Sequence, residues 1–247
     1  MTTFSQLTKT MLKTRVNLIH KVFGIYLLVT LVTCFYQTLI HGLRITDWLM
    51  FSFSFGVLAS LVLAVILAVK QERVWTAPLY RLLPLSETKL YIGNVLTNFF
   101  SWIYFEILVV LLTFIMGPTS FVKILPIMNN GSFLEYAVGA GIILIFPTFI
   151  WCSVSLVHLL TNTFSDFLPI NIQRISRVVL IIVLVYGLGK ISNLATNSFT
   201  MIFASSQATS DANFYLSFIY LILTTIVVSI INIYLLKNWV QATPKTA

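Results

Sequence analysis

The sequence predicts an all-α integral membrane protein with six transmembrane helices and both termini on the cytoplasmic side. Three observations predict it. Hydrophobic residues make up 58% of the 247, charged ones only 9%, and the mean hydropathy is +0.96, whereas about a quarter of the residues of a soluble globular domain are charged. Six apolar runs are each long enough to cross a hydrocarbon core of ~30 Å, which takes about 20 helical residues. Twelve of the fifteen lysines and arginines fall in the segments that an alternating topology places inside, as retention of basic loops in the cytoplasm requires.

The runs lie near 22–41, 48–69, 91–116, 136–160, 178–203 and 214–236, and together they predict one transmembrane domain over 1–247. A polar and basic segment precedes the first run, and Gln37-Thr38-Leu39-Ile40-His41 at its end lacks a small-x-small cleavage site, so it reads as a retained span and not a signal peptide. The inner segments hold Lys9, Lys13, Arg15 and Lys21, then Lys70, Arg73, Arg81 and Lys89, then Arg174 and Arg177, then Lys237 and Lys245. Only Arg44, Lys123 and Lys190 fall outside. The formal charge of +8 therefore serves topology, and no nucleic-acid partner is expected.

Residues 1–21 read as an interfacial amphipathic helix. At 100° per residue Phe4, Leu7, Met11, Leu18 and Val22 share one side, Lys9, Lys13 and His20 the other, and Arg15 interrupts the apolar side. A flexible basic tail is the alternative. Cys34 and Cys152 both fall within apolar runs, where they are packing residues and not a disulfide or metal pair.

The densest polar chemistry follows the second span, in the segment 70–90. It interleaves Glu72, Arg73, Arg81 and Lys89 with Trp75, Leu79, Tyr80, Leu82 and Leu83, a mixture suited to docking against a partner or to resting on the bilayer surface. Pro78 fits the first position of a short helix, Pro84 its stop, and Ser86 the N-cap of the third span.

This segment resembles the first cytoplasmic loop of ABC-2 type transporter permeases, where an acidic-basic pair precedes a Thr-containing helix, a Leu-rich end, a Pro and a downstream Lys. The matching positions are Glu72-Arg73, Thr76, Leu82-Leu83, Pro84 and Lys89; the usual Gly before the Thr is Trp75 here. The layout of six spans with both ends inside is similar too. The resemblance implies an ATPase-coupling role for Glu72, Arg73, Trp75, Leu79, Leu82, Leu83 and Pro84, and a homodimer or heterodimer of permease chains with separate ABC ATPase subunits.

The chain itself has no P-loop: its one Gly-Lys pair, Gly189-Lys190, is followed by Ile191 and preceded by Leu184 where the first glycine belongs. No cofactor is therefore expected on this chain, with ATP and Mg on the partner subunit.

Within the spans, Glu106 is the one acidic residue squarely inside, about 22 Å along the helix from Tyr91 at ~1.5 Å per residue. Buried carboxylates in membranes mark either a functional cavity or a structural hydrogen bond to a neighbouring helix. Asp47, Glu135 and Asp211 lie at outer ends. Ser52, Gly56, Ser60, Ala64 and Ala68 form a four-residue repeat of small side chains, a groove for close helix approach within the chain or between chains. Thr30, Thr33, Gln37 and His41 form a polar stripe that either lines a pathway or satisfies its own helix backbone.

His20, His41 and His158 are scattered, and HExxH and GxSxG are absent, so neither a metal site nor catalytic residues are expected. The expected function is thus the permease subunit of an ATP-driven ABC exporter in the plasma membrane of a bacterium. Its expected cargo is a hydrophobic peptide, antimicrobial peptide, drug or other amphipathic compound. A secondary transporter, hinted at by Pro147 and Gly187/Gly189, and a non-transporting immunity or scaffold protein are the alternatives.

Overall fold

The computed structural model describes residues 4–42, 48–76, 86–117, 133–165 and 210–238, with Val179, Ile182 and Tyr186 as isolated helical positions. The described residues form five long helices: α1 (Phe4–His41), α2 (Trp48–Thr76), α3 (Glu87–Met116), α4 (Phe133–Ser165) and α5 (Ser210–Asn238). All five are long and apolar enough to cross a membrane. The chain is a helical, multi-pass membrane protein on that ground. The remaining expected span, 178–203, lies outside the described residues apart from those three positions, as do the loop residues Leu79, Leu82, Leu83 and Pro84.

Each helix runs past the edge of its apolar run. α1 is one unbroken helix of 38 residues, ~57 Å at 1.5 Å per residue. Residues 4–21 are therefore the first half of a single rod with the first span, where the sequence suggests a separate interfacial helix. No proline interrupts the segment, and its inward row Leu7, Met11, Arg15 and Ile19 is buried at the four-residue spacing of one helix face. Gly42 ends α1 at φ +60°, its N–H donating to the Thr38 carbonyl at 3.2 Å. Glycine is favoured there because the left-handed region carries no Cβ penalty.

α2 continues to Thr76, beyond the apolar edge at 69. The residues that follow, Pro78 among them, lie outside the described residues. α3 starts at Glu87, with the Ser86 carbonyl accepting the Leu90 N–H at 3.0 Å, as the carbonyl of an N-cap residue does.

The chain divides into two compact units, one of Met1–Lys70 with Gly93–Tyr136, the other of Gln71–Ile92 with Ala137–Ala247. In the first, α2 lies antiparallel to both neighbours. Ser52 meets Thr113, Ser60 meets Glu106 and Asn98 meets the Leu67 carbonyl, while Tyr26 meets Ser52 and Thr38 meets Trp48. Its core holds Ile19, Cys34, Leu63, Leu67 and Phe105, all without measurable exposure. In the second, Trp151, Leu156, Leu159 and Leu236 form the apolar core. There α4 and α5 run in the same direction: Phe218 packs on Gly141 and Ser229 on Cys152, with the same numerical offset.

The exposed face of α1 changes character along its length. From Phe4 to Lys21 every exposed residue is polar, namely Ser5, Gln6, Lys9, Thr10, Lys13, Thr14, Asn17, His20 and Lys21. From Ile25 onward Ile25, Leu28, Val32, Phe35 and Leu39 lie open. An open apolar surface of that kind belongs against lipid tails.

Candidate functional site

In the second unit, the end of α2 is tied to α4 by a chain of polar side chains. Gln71 Nε2 donates to Ser155 Oγ at 2.8 Å, and Ser155 Oγ donates to Glu72 Oε1 at 2.5 Å. The other Glu72 oxygen lies 3.7 Å from His158 Nε2, and that nitrogen is 2.9 Å from Asn162 Nδ2. Ser155, His158 and Asn162 are three and four residues apart, so one face of α4 presents all three. Gln71 and Ser155 are fully buried and Glu72 is largely so, its side chain 13% exposed against 34% for His158. A single serine thus accepts from one residue of α2 and donates to the next. Such doubly used groups fix the rotation of two helices relative to each other.

The sequence places Glu72 in a docking loop. The structure places it on the helix, directed at α4, while Arg73 beside it is exposed. Trp75 lies in the last turn of α2.

A second polar knot joins α3, α4 and α5. Asn232 Nδ2 donates to the Tyr91 hydroxyl at 3.0 Å and to the Cys152 carbonyl at 2.8 Å. Tyr91 Oη donates to Cys152 Sγ at 3.4 Å, and that sulfur is 3.3 Å from Ser229 Oγ. Cys152 is buried and free of any disulfide, as is Cys34. Its thiol serves as one node of a helix-to-helix network.

The first unit carries three polar ties of its own. Arg15, 3% exposed, spans to α3, where its guanidinium donates to the Asn94 backbone carbonyl at 3.0 Å and to the Asn94 side-chain oxygen. Farther along, Ser60 Oγ donates to Glu106 Oε1 at 2.5 Å. Beyond that, the Tyr26 hydroxyl donates to the Ser52 carbonyl at 3.0 Å and lies 2.9 Å from Ser52 Oγ, which is 3.0 Å from Thr113 Oγ1. Glu106 therefore meets a serine of the small-residue stripe.

The stripe itself receives neighbours from within the unit. A Cβ on Gly56 would stand 2.7 Å from Val109 Cγ1 and 3.5 Å from the Tyr26 hydroxyl, so α1 and α3 both close onto this point. Ser52, Gly56 and Ala68 are buried, and Ser60 and Ala64 half-buried. In the polar stripe of α1, Thr30 and Thr33 donate to the Tyr26 and Val29 carbonyls of their own helix at 2.8 Å each. Gln37 is half-buried.

Pro147 lies inside an unbroken α4, so α4 is not a discontinuous helix of the kind that forms secondary-transporter sites. Among the described residues no group of three or more His, Cys, Asp or Glu is placed to hold a metal ion.

Sequence reasoning passed over Gln71, Ser155, Asn162, Asn94, Asn232 and Tyr91. For Asn94 and Asn232 the available signal was an amide side chain inside an apolar run, where it requires partners. No protein-family model matches the chain, and neither a curated protein nor a solved structure matches it significantly.

Proposed function

We propose that the chain is the membrane subunit of an ATP-driven exporter, six-spanning with both ends in the cytoplasm, working as one of two permease chains beside separate ATPase subunits. The observation that carries the reading is the construction at the end of α2. One residue pair before the docking segment, Gln71 and Glu72, is fastened to Ser155 and His158 of α4. Force applied to the segment after Thr76 would be handed to α4 through these bonds and to α3, which begins at Glu87. The apolar residues Leu79, Leu82, Leu83 and Pro84 stand in that segment together with Arg81, where an ATPase would seat.

The shared direction of α4 and α5 supports the sixth span. Two membrane helices running the same way need an odd number of crossings between them, and the apolar run 178–203 provides one. Basic residues clustered at one set of ends support the inside placement of both termini. With no P-loop in the sequence, ATP and Mg belong on the partner. A hydrophobic peptide, drug or similar amphipathic compound is the proposed cargo.

The test is purification of the tagged chain from gently solubilised membranes, followed by assay of Mg-dependent ATP hydrolysis. The reading expects hydrolysis that stays with the complex and disappears when the chain is stripped to a single polypeptide. Hydrolysis by the isolated chain, or a native complex devoid of ATPase, contradicts it.

A further inference from the structure

The exposed side of α1 switches from wholly polar to apolar between Lys21 and Ile25. For a helix that enters a bilayer, such a switch marks the hydrocarbon boundary. On the polar side of the boundary, Lys9, His20 and Lys13 fall at roughly 180° to 220° around the helix, opposite the middle of the buried row Leu7, Met11, Arg15 and Ile19, which runs from roughly 340° to 100°. Lys21, at roughly 300°, is exposed on the flank of that row.

The rotation is fixed by packing. Arg15 is bonded to Asn94, and Phe4 and Thr8 both stand over Gly93, where a Cβ would meet them at 3.1 and 3.2 Å. The apolar side of this segment is thus occupied by α3, and its lysines are held outward. No acidic residue precedes Asp47 in the chain.

We propose that this lysine face binds anionic phospholipid headgroups of the leaflet it meets, the cytoplasmic one in the proposed topology. The segment does so as a helix docked on α3, not as one inserted apolar side down. Distance along the helix sets a gradient. Lys13 and Lys9 lie eight and twelve residues before Lys21, about 12 and about 18 Å along the axis. The headgroup layer is only about 5–7 Å thick on each side, and the Debye length is about 8 Å at physiological salt. Lys21, with a stem able to snorkel, touches lipid phosphate directly. Lys13 acts through the screened field, and Lys9 acts least. An acidic protein approaching from solution would meet the lysines in the reverse order. The proposal is independent of the transport reading.

The experiment reconstitutes the full chain in nanodiscs of equal parts phosphatidylcholine and phosphatidylglycerol, and counts the lipids retained by native mass spectrometry. Wild type is expected to retain phosphatidylglycerol in excess. Lys21→Gln should weaken that retention about fivefold, the equivalent of one juxtamembrane lysine. Lys13→Gln should weaken it less, and Lys9→Gln least. Lys21→Arg, which keeps the charge, should retain the excess, and added salt should erase the Lys13 contribution before that of Lys21. Unchanged retention in the triple Gln variant, equal effects at the three positions, or dominance of Lys9 overturns the proposal; far-UV circular dichroism confirms that each variant is folded.

Discussion

Replacing Gly56 by Ala tests the closest helix approach in the first unit. The new methyl would sit 2.7 Å from Val109 Cγ1, where carbon atoms rest at about 3.5–4.0 Å, so the helices must part by nearly 1 Å or Val109 must move. Val109 is 7% exposed and β-branched, with essentially one χ1 rotamer open to it on a helix. Retreat toward α1 is limited by the Tyr26 hydroxyl at 3.5 Å. Overpacking of this kind costs about 1–3 kcal/mol. Alanine in place of glycine returns about 0.5–1 kcal/mol of helix propensity. The net expectation is a loss of about 1–2 kcal/mol.

The assay is reversible unfolding of the purified chain in mixed micelles, performed as a double-mutant cycle with Val109→Ala. In the Val109→Ala background the clash is gone, and Gly56→Ala should become neutral or stabilising by about 0.5–1 kcal/mol, which gives a coupling of ~2 kcal/mol. An equal cost of Gly56→Ala in both backgrounds, or stabilisation in the wild-type background, would refute the reasoning.

Ser155→Ala removes the bonds to Gln71 and Glu72 together and should cost about 1–3 kcal/mol in the same assay, the range for paired buried bonds that include a carboxylate. Arg15→Lys keeps the charge but loses the planar fork that engages both Asn94 oxygens. Amide exchange should then quicken across residues 4–21 and stay unchanged in α5. Asn232→Leu deletes the bridge between Tyr91 and the Cys152 carbonyl. A loss of about 1 kcal/mol is expected, since single side-chain hydrogen bonds in membranes average about 0.6 kcal/mol.

The helical character of the chain was plain in its hydropathy, because spans in a bilayer must satisfy their backbone internally. The ends were less plain. Hydropathy stops at Lys70, but nothing in Lys70–Thr76 prevents the backbone from continuing, and it is helical through Thr76. Similarly, α1 begins at Phe4 because helix formation does not need an apolar environment once a face is packed, here on Gly93 and Asn94.

The polar ties divide in the same way. The small-residue stripe of α2 was readable from its spacing, but the identity of the helices filling it was not. Arg15 read as a flaw on an apolar face because its partner, Asn94, lies 79 positions away, and pairing at that range leaves no local pattern. Glu72 read as part of a loop for the related reason that its carboxylate is satisfied by Ser155 of another helix.

The central claim is that the segment after α2 seats an ATPase whose motion reaches the membrane helices. The most direct measurement replaces Leu82 and Leu83 together by Asp and compares the ATPase that co-purifies with the variant and with wild type, at matched amounts of folded chain. The account predicts that the variant remains in the membrane at wild-type stability but loses the ATPase. An undiminished yield of ATPase on the double-Asp variant would contradict it.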